Sequence, residues 1–272
     1  MSDQKTIFVT GASSGIGKAT VEYFAANGWR VAATMRTPEK HSSLAQSDGS
    51  VRLFRLDVTN SASVAAAVEQ AVAAFGNIDV LVNNAGYGLV GPFEAMQEAQ
   101  IRRQLDTNLI GLMNVTRAVL PHFRANRAGT IINVASVGGR LTFPLYSVYH
   151  ATKWAVEGFS EALTYELAGH GIRVKIIEPG PIKTEFYNRS MDIAKKPGLA
   201  AYDALVARVF PRMQLAGASA PGPEIVAESI WRAATDGSSR LRYKPNGAAL
   251  LALRRLVPDR VYRALISRQL GV

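Results

Sequence analysis

Cysteine is absent from all 272 residues, and that absence closes several routes at once. Disulfides, thiolate catalysis and cysteine-based metal sites are excluded. A chain of this length buries enough apolar surface to stand without cross-links, and the lack of thiols fits a reducing, cytoplasmic setting. Histidine is scarce too. His41, His122, His150 and His170 are dispersed and have no cysteine companions, so no metal site is expected. His150 follows Tyr149 directly and is expected to point off that residue's helix face. No run approaches the roughly 18 uncharged apolar residues that a membrane-spanning helix needs. The opening MSDQKTIFVTGASSGIG lacks the apolar core and cleavage site of a signal peptide. Disorder leaves no mark either: apolar residues make up 48% and charged residues 19%. Acidic side chains are the minority, so the formal net charge is +10. That excess reads either as solubility with a mild preference for anionic ligands, or as a nucleic-acid or membrane-surface contact. The basic residues are mostly scattered, so no nucleic-acid partner is expected.

Short β-rich runs alternate with longer helical patterns. KTIFVT (5–10) leads through a glycine-rich turn into IGKATVEYFAANG (16–28), where Ala19, Phe24 and Ala25 recur at helical spacing before Gly28. Further strands are read at 30–35, 51–58, 78–86, 130–136 and 172–180, with helices at 63–76 and 149–171. A long helix before the fifth strand is expected to be closed off by Pro121 and Gly129. This βαβα order implies a parallel sheet covered on both faces. Right-handed crossovers make the doubly wound Rossmann arrangement the default, here a single α/β domain over 1–272 with about seven strands. Residues 185–223 mix Gly, Pro and Ser with aromatics and Met, which suggests a mobile substrate lid. A helix over 223–235, a short strand near 241–243 and two terminal helical pieces complete the chain.

The turn TGASSGIG (10–17) sets Gly11, Gly15 and Gly17 between the first strand and its helix. Glycines allow the tight turn, let backbone N–H groups approach a pyrophosphate, and present a helix N-terminus to the anion. Ser13, Ser14 and Ile16 complete this candidate loop. The end of the second strand reads AATMRTPEK. An acidic residue there would hydrogen-bond the ribose hydroxyls of NAD, whereas an arginine would pair with the extra phosphate of NADP. Met35 stands where the acid would be, and Arg36 follows. NADP is therefore the expected cofactor, ahead of NAD, although a merely solvated arginine is the plain alternative.

Taken together and in order, the spaced motifs resemble the short-chain dehydrogenase/reductase family. They are TGASSGIG (10–17), LDVT (56–59), NNAG (83–86), the asparagine of DTNLIG (106–111), the serine of INVASVGG (132–139), the pair in YHATK (149–153), and PGPIKT (179–184). The similarity spans nearly all of 5–184. In overall look it is closest to the branch resembling 17β-hydroxysteroid and retinol dehydrogenases, through VAATMR and YHATKWAVEGFSEAL.

Mapped onto this chain, the resemblance implies a tetrad of Asn108, Ser136, Tyr149 and Lys153. It also implies cofactor contacts from Asp57 and Val58 near the adenine, and from Asn84, Ala85 and Gly86 beneath the ribose. Pro179, Gly180, Ile182 and Thr184 would hold the nicotinamide carboxamide. Chemistry agrees with the tetrad. Reducing a carbonyl creates an alkoxide, which needs a proton donor and hydrogen-bond donors. Lys153 lies four residues after Tyr149 and so shares its helix face. Lowering a phenol by about three units would take roughly 4 kcal/mol, within reach of a buried cation aided by helix dipoles. Tyr146 has only His150 at that spacing, so Tyr149 is the expected acid/base and Tyr146 a pocket wall. The family role for Asn108 is to hold a water linking Lys153 to solvent; a buried amide satisfying backbone is the alternative.

Phe186, Tyr187, Met191, Tyr202, Phe210 and Met213 of the lid, with Leu141, Phe143 and Tyr146, suit a bulky apolar carbonyl or alcohol. Some of them would instead pack the lid onto the domain. The expected reaction is therefore NADP(H)-dependent interconversion of a carbonyl and an alcohol; the competing reading is a catalytically idle NADP-binding sensor of the same fold. The segment Arg240–Val272 carries eight Arg/Lys against Asp259, interleaved with leucines. It reads either as an amphipathic membrane-surface element or as helices packed on the domain with a solvated basic face. The resemblance further implies a homodimer or homotetramer through the long helices around 97–123 and 150–168.

Overall fold

The computed structural model describes residues 4–187 and 190–271, with Tyr187 by its backbone alone. β1 (Thr6–Thr10) enters α1 (Gly15–Ala26); β2 (Arg30–Met35), β3 (Val51–Arg55), α2 (Ser61–Phe75), β4 (Val80–Asn83) and β5 (Gly88–Val90) follow. α3 (Glu98–Leu105) runs through a π-turn at Asp106–Ile110 into α4 (Gly111–Asn126). Next come β6 (Gly129–Val134), α5 (Ser147–Leu167), β7 (Ile172–Ile177), β8 (Met191–Ile193) and α6 (Asp203–Ala218). α7 (Glu224–Thr235), β9 (Arg242–Tyr243), α8 (Ala248–Leu256) and α9 (Asp259–Leu270) complete the described chain.

Seven strands make one sheet in the order β3-β2-β1-β4-β6-β7-β9, and every pairing is parallel. This is the doubly wound fold expected from the alternation. Residues of β1 are buried throughout, because a parallel sheet covered on both faces leaves no strand face in water. One face packs on α1 and α7 through Val21, Phe24, Val226 and Ile230. The other packs on α2, α4 and α5 through Val64, Val115, Phe123 and Leu163. Strand order reverses between β1 and β4, which opens a crevice beyond their carboxyl ends.

Several strands are shorter than their apolar runs. β3 stops at Arg55 and β4 at Asn83; the remaining residues of each run leave the sheet to wall the crevice. Pro121 does not close α4, which continues through it to a left-handed Arg127 with φ 48°. The proline is exposed, so water can take the carbonyl that its missing N–H leaves. Within the described part of 185–223, β8 pairs in parallel with β5, and α6 runs for 16 residues. The C-terminal helices pack on the domain by Leu251, Tyr262 and Leu270. Their outward face nevertheless carries Leu256, 80% exposed, with Val261 and Leu265.

Candidate active site

The turn after β1 is shaped by positive φ angles, 66° at Gly11 and 52° at Gly15, which glycine adopts at little cost. Gly17 serves clearance instead: a Cβ there would lie 2.2 Å from the Gly11 carbonyl oxygen. Asn84 fastens the loop from the neighbouring strand. Its Nδ2 donates to the carbonyls of Thr10 and Gly11 at 3.0 and 3.2 Å. Thr10 Oγ1 accepts the N–H groups of Asn84 and Ala85 at 3.0 and 3.1 Å. Asn84 thus holds the cradle itself, and Gly86 lies against Asn108, where a Cβ would come 3.1 Å from Oδ1. Ser14 precedes α1 in extended conformation and its side chain caps nothing, so the first N–H groups of the helix remain to face an anion. This cradle fits the pyrophosphate of a dinucleotide.

Gly11, Ser13, Ser14, Gly15 and Ile16 open onto a cavity of about 1370 Å³. That exceeds the roughly 300–1,000 Å³ of a single drug-sized ligand. At one end, buried Met35 and exposed Arg36 close β2, with Lys40 and His41 beside them. Arg55 donates to the Arg36 carbonyl at 3.0 Å and pairs with Glu39 at 3.0 Å. Asp57 turns its carboxylate onto Thr59, accepting from N–H at 3.0 Å and Oγ1 at 2.7 Å. Val58 lines the same wall, as do Asn84, Ala85 and Gly86.

At the other end, Ser136, Tyr149 and Lys153 line the cavity together with Pro179, Gly180, Ile182 and Thr184. Ser136 Oγ accepts the Gly138 N–H at 3.0 Å, leaving its O–H proton to donate. Lys153 is buried; its Nζ donates to the Val134 carbonyl at 2.9 Å and lies 5.8 Å from the Tyr149 ring centre. Burial draws this ammonium down to about 8, and Glu157 pulls the other way. Asn108 stands behind the cavity, in the π-turn. Its Oδ1 accepts the Tyr87 N–H at 3.0 Å and its Nδ2 donates to the Tyr87 carbonyl at 2.9 Å. The side chain therefore satisfies the Tyr87 backbone. His150 does not simply turn away. It is buried along the cavity wall, with Nδ1 2.8 Å from the Gly138 carbonyl oxygen and Nε2 accepting the Phe143 N–H at 2.8 Å. The reason is clearance: a Cβ on Gly138 would sit 2.8 Å from Nδ1. Burial lowers the basicity of this imidazole.

A family model for short chain dehydrogenases matches residues 5–193. The chain belongs to the short-chain dehydrogenases. It is 42% identical to an uncharacterized oxidoreductase of Schizosaccharomyces pombe over 88% of this chain and 100% of that one. It is 33% identical to human 17-beta-hydroxysteroid dehydrogenase type 1, covering 93% of this chain and 81% of that one. Among solved structures, a short-chain dehydrogenase from Streptomyces avermitilis superposes with TM-score 0.83 at 34% identity, over 98% and 97% of the two chains. Two more distant structures carry cofactors. ElxO has NADP bound (TM-score 0.74, 26% identity, 90% and 99% covered). A Burkholderia phymatum homologue holds NAD (0.81, 26%, 93% and 92%). This short-chain dehydrogenase is thus an oxidoreductase of a family that uses nicotinamide cofactors.

The substrate end of this dehydrogenase divides the apolar candidates. Phe143, Tyr146, Phe186, Met191 and Met213 line the cavity. Leu141 is instead buried with Val137, Leu251 and Tyr262. Phe210, on α6, packs in the cluster that holds Val90, Tyr146 and Leu270, and the Tyr202 hydroxyl donates to Glu94 at 3.1 Å. The side chain of Tyr187 lies outside the described residues. Leu250, Ile266, Gln269 and Leu270 of the C-terminal helices also reach the cavity. The sequence offers a membrane-surface element or helices packed on the domain, without placing them at the cavity, because no local pattern says which wall a terminal helix meets. Thr10, the fastening of the glycine loop, was likewise unmarked as a strand-end threonine.

Proposed function

We propose that this short-chain dehydrogenase interconverts a carbonyl and an alcohol on a bulky apolar substrate, using NADP(H), with Tyr149 as acid/base. One observation carries the reading: the buried Lys153 ammonium lies 5.8 Å from the Tyr149 ring centre, in the wall of the cavity that the uncapped α1 also faces. Bound in the cradle, NADPH supplies the hydride. During reduction the substrate oxygen gains negative charge, and the Ser136 hydroxyl donates a hydrogen bond to it. Tyr149 hands its phenolic proton to that oxygen, and Lys153 stabilises the phenolate left behind. Asn108 acts by position, holding the Gly86–Tyr87 backbone at the cavity edge.

The NADP preference is supported by Arg36, Lys40 and His41 at the end of β2 and by Met35 in place of an acid. An apolar substrate is supported by Phe143, Phe186, Met191 and Met213 around the cavity. A homo-oligomer through the long helices is supported by Trp154 and Tyr165 of α5, which are 47% and 78% exposed. The test is a fluorescence titration with NADPH and NADH, followed by a panel of ketones and aldehydes with the reduced cofactor. Tighter NADPH binding and turnover of bulky apolar carbonyls are expected. Equal binding of NADH would remove the cofactor preference. Firm NADPH binding without turnover across the panel would make the protein an idle sensor.

A further inference from the structure

A buried cluster of charge lies directly behind the candidate site. Glu157 follows Lys153 by one helical turn on α5 and is buried. Glu178, immediately before Pro179, is fully buried. Arg242 of β9 reaches between them, its Nε 3.0 Å from Glu157 Oε2 and 3.5 Å from Glu178 Oε1. Its Nη2 lies 2.5 Å from Glu161 Oε2. Arg140, on the loop after Ser136, approaches Glu178 Oε1 at 3.6 Å.

The cluster joins the segments that carry Ser136, Lys153 and Pro179. The loop after Ser136 lies flush on α5, since a Cβ on Gly139 would sit 2.8 Å from the Lys153 carbonyl oxygen and 2.9 Å from Glu157 Cγ. Val137 N–H donates to the Pro179 carbonyl at 2.9 Å, and Gly180 N–H to that of Pro245 at 2.9 Å. Glu157 Oε1 and both Glu178 oxygens are buried without a hydrogen-bond partner among the described residues; a proton shared between the carboxyls would satisfy two of the three. Burial, reinforced by Glu178, pushes Glu157 up to about 7, and burial raises Glu178 as well. The two carboxyls titrate as a pair. Buried ion clusters contribute little net stability, so the consequence lies in what this one touches.

We propose that Glu157 is a positioning residue for Lys153: backed by Glu178 and held by Arg242 and Arg140, its carboxyl fixes the turn of α5 that carries the lysine and supplies the negative charge facing the buried ammonium. This rests on the Tyr149–Lys153 reading above. The charged groups facing Glu157 are Lys153 and Glu161 on α5, Arg140 after β6, Glu178 after β7 and Arg242 on β9; Lys244 faces Glu178, and Tyr149 lies beyond Lys153.

The sign of the coupling follows from these contacts. Removing the Glu157 charge makes the ammonium easier to deprotonate. Removing Glu178 lets Glu157 ionise more readily, which makes the ammonium harder to deprotonate. The test uses Glu157→Gln, Glu178→Gln and Glu157→Asp in the full chain, with two readouts: the pH dependence of kcat/KM, and an NMR titration of 13Cε-labelled lysine assigned through Lys153→Met. Glu157→Gln should move the Lys153 titration and the basic limb of activity down by about one pH unit, a roughly tenfold loss of ammonium at a fixed pH above the limb. Glu178→Gln should move both upward, and Glu157→Asp should restore much of the wild-type profile. An unmoved Lys153 titration in both glutamine variants overturns the proposal. Should Glu157→Gln fail to fold, a downward shift in Glu178→Gln overturns it alone. Should the lysine shifts appear without any turnover in the wild type, the reaction reading fails and the positioning inference stands.

Discussion

The two ends of the cavity are built in opposite ways. The dinucleotide end comes from backbone: a tight turn, glycines whose absent side chains leave room, and an uncapped helix end. A Cβ at Gly17 or Gly11 would come within 2.2 or 2.9 Å of main-chain atoms, so the cradle tolerates almost no variation. The substrate end comes from side chains. Phe143, Phe186, Met213 and Ile266 reach the cavity from separate segments, each held by apolar packing that other apolar residues of similar size could supply. A shared cofactor demands a fixed surface and a particular substrate demands an adjustable one. That is why fold and cofactor class follow from the chain while the substrate does not.

Tyr149 stands at the seam of the two ends, and its loss is the largest expected effect. Tyr149→Phe should lower reduction by about 10²- to 10⁴-fold while NADPH titration stays unchanged; near-normal turnover would dissolve the mechanism. Arg36→Asp attacks the dinucleotide end alone. It should weaken NADPH by roughly 10- to 100-fold, the scale of a charge-assisted hydrogen bond, without altering which carbonyls are accepted. Acidity probes the seam again. The Lys153 ammonium, drawn down to about 8 by burial, is the form that supports Tyr149, so it is complete below that pH and lost above it. Reductive kcat/KM should fall about tenfold per pH unit above the limb, and a profile flat to strongly alkaline pH would sink the assignment. Phe186→Ala should change KM for bulky carbonyls about tenfold, the scale of a few lost apolar contacts, and spare NADPH binding. A selective loss of NADPH instead would mean the two ends are not separable. The smallest effect concerns the tail. If its outward face meets anionic lipid, vesicles containing phosphatidylglycerol should retain a modest fraction of the protein, and Leu256→Asp should release it; equal sedimentation of both proteins would leave the packed-helix reading alone.

Legibility in the sequence followed range. The glycine loop was readable because turn, clearance and helix start lie within eight residues, TGASSGIG. The sheet was readable because its strands are short, mostly apolar and β-branched runs that alternate with helical patterns. Strand ends were not, since Leu56 and Val58 look like strand yet leave the sheet to wall the cavity. Pro121 misled because its effect depends on whether water reaches the freed carbonyl. β8 was not readable, because it is three residues long and gains its partner, β5, only across the fold.

The sequence by itself determined the fold class, the cradle and the pairing of Tyr149 with Lys153. Each depends on backbone geometry acting over a few residues, and four residues along a helix return a side chain to the same face wherever the helix lies. Only the tertiary structure decided what stands around that pair. Glu157 and Arg242 are 85 residues apart and meet at 3.0 Å; Asn108 and Tyr87 are 21 apart and share two hydrogen bonds. Such meetings depend on how the strands stack and where loops cross their ends. The electrostatics of a buried lysine belongs to the assembled fold because desolvation, like a distant carboxylate, does not exist until the chain has closed around it.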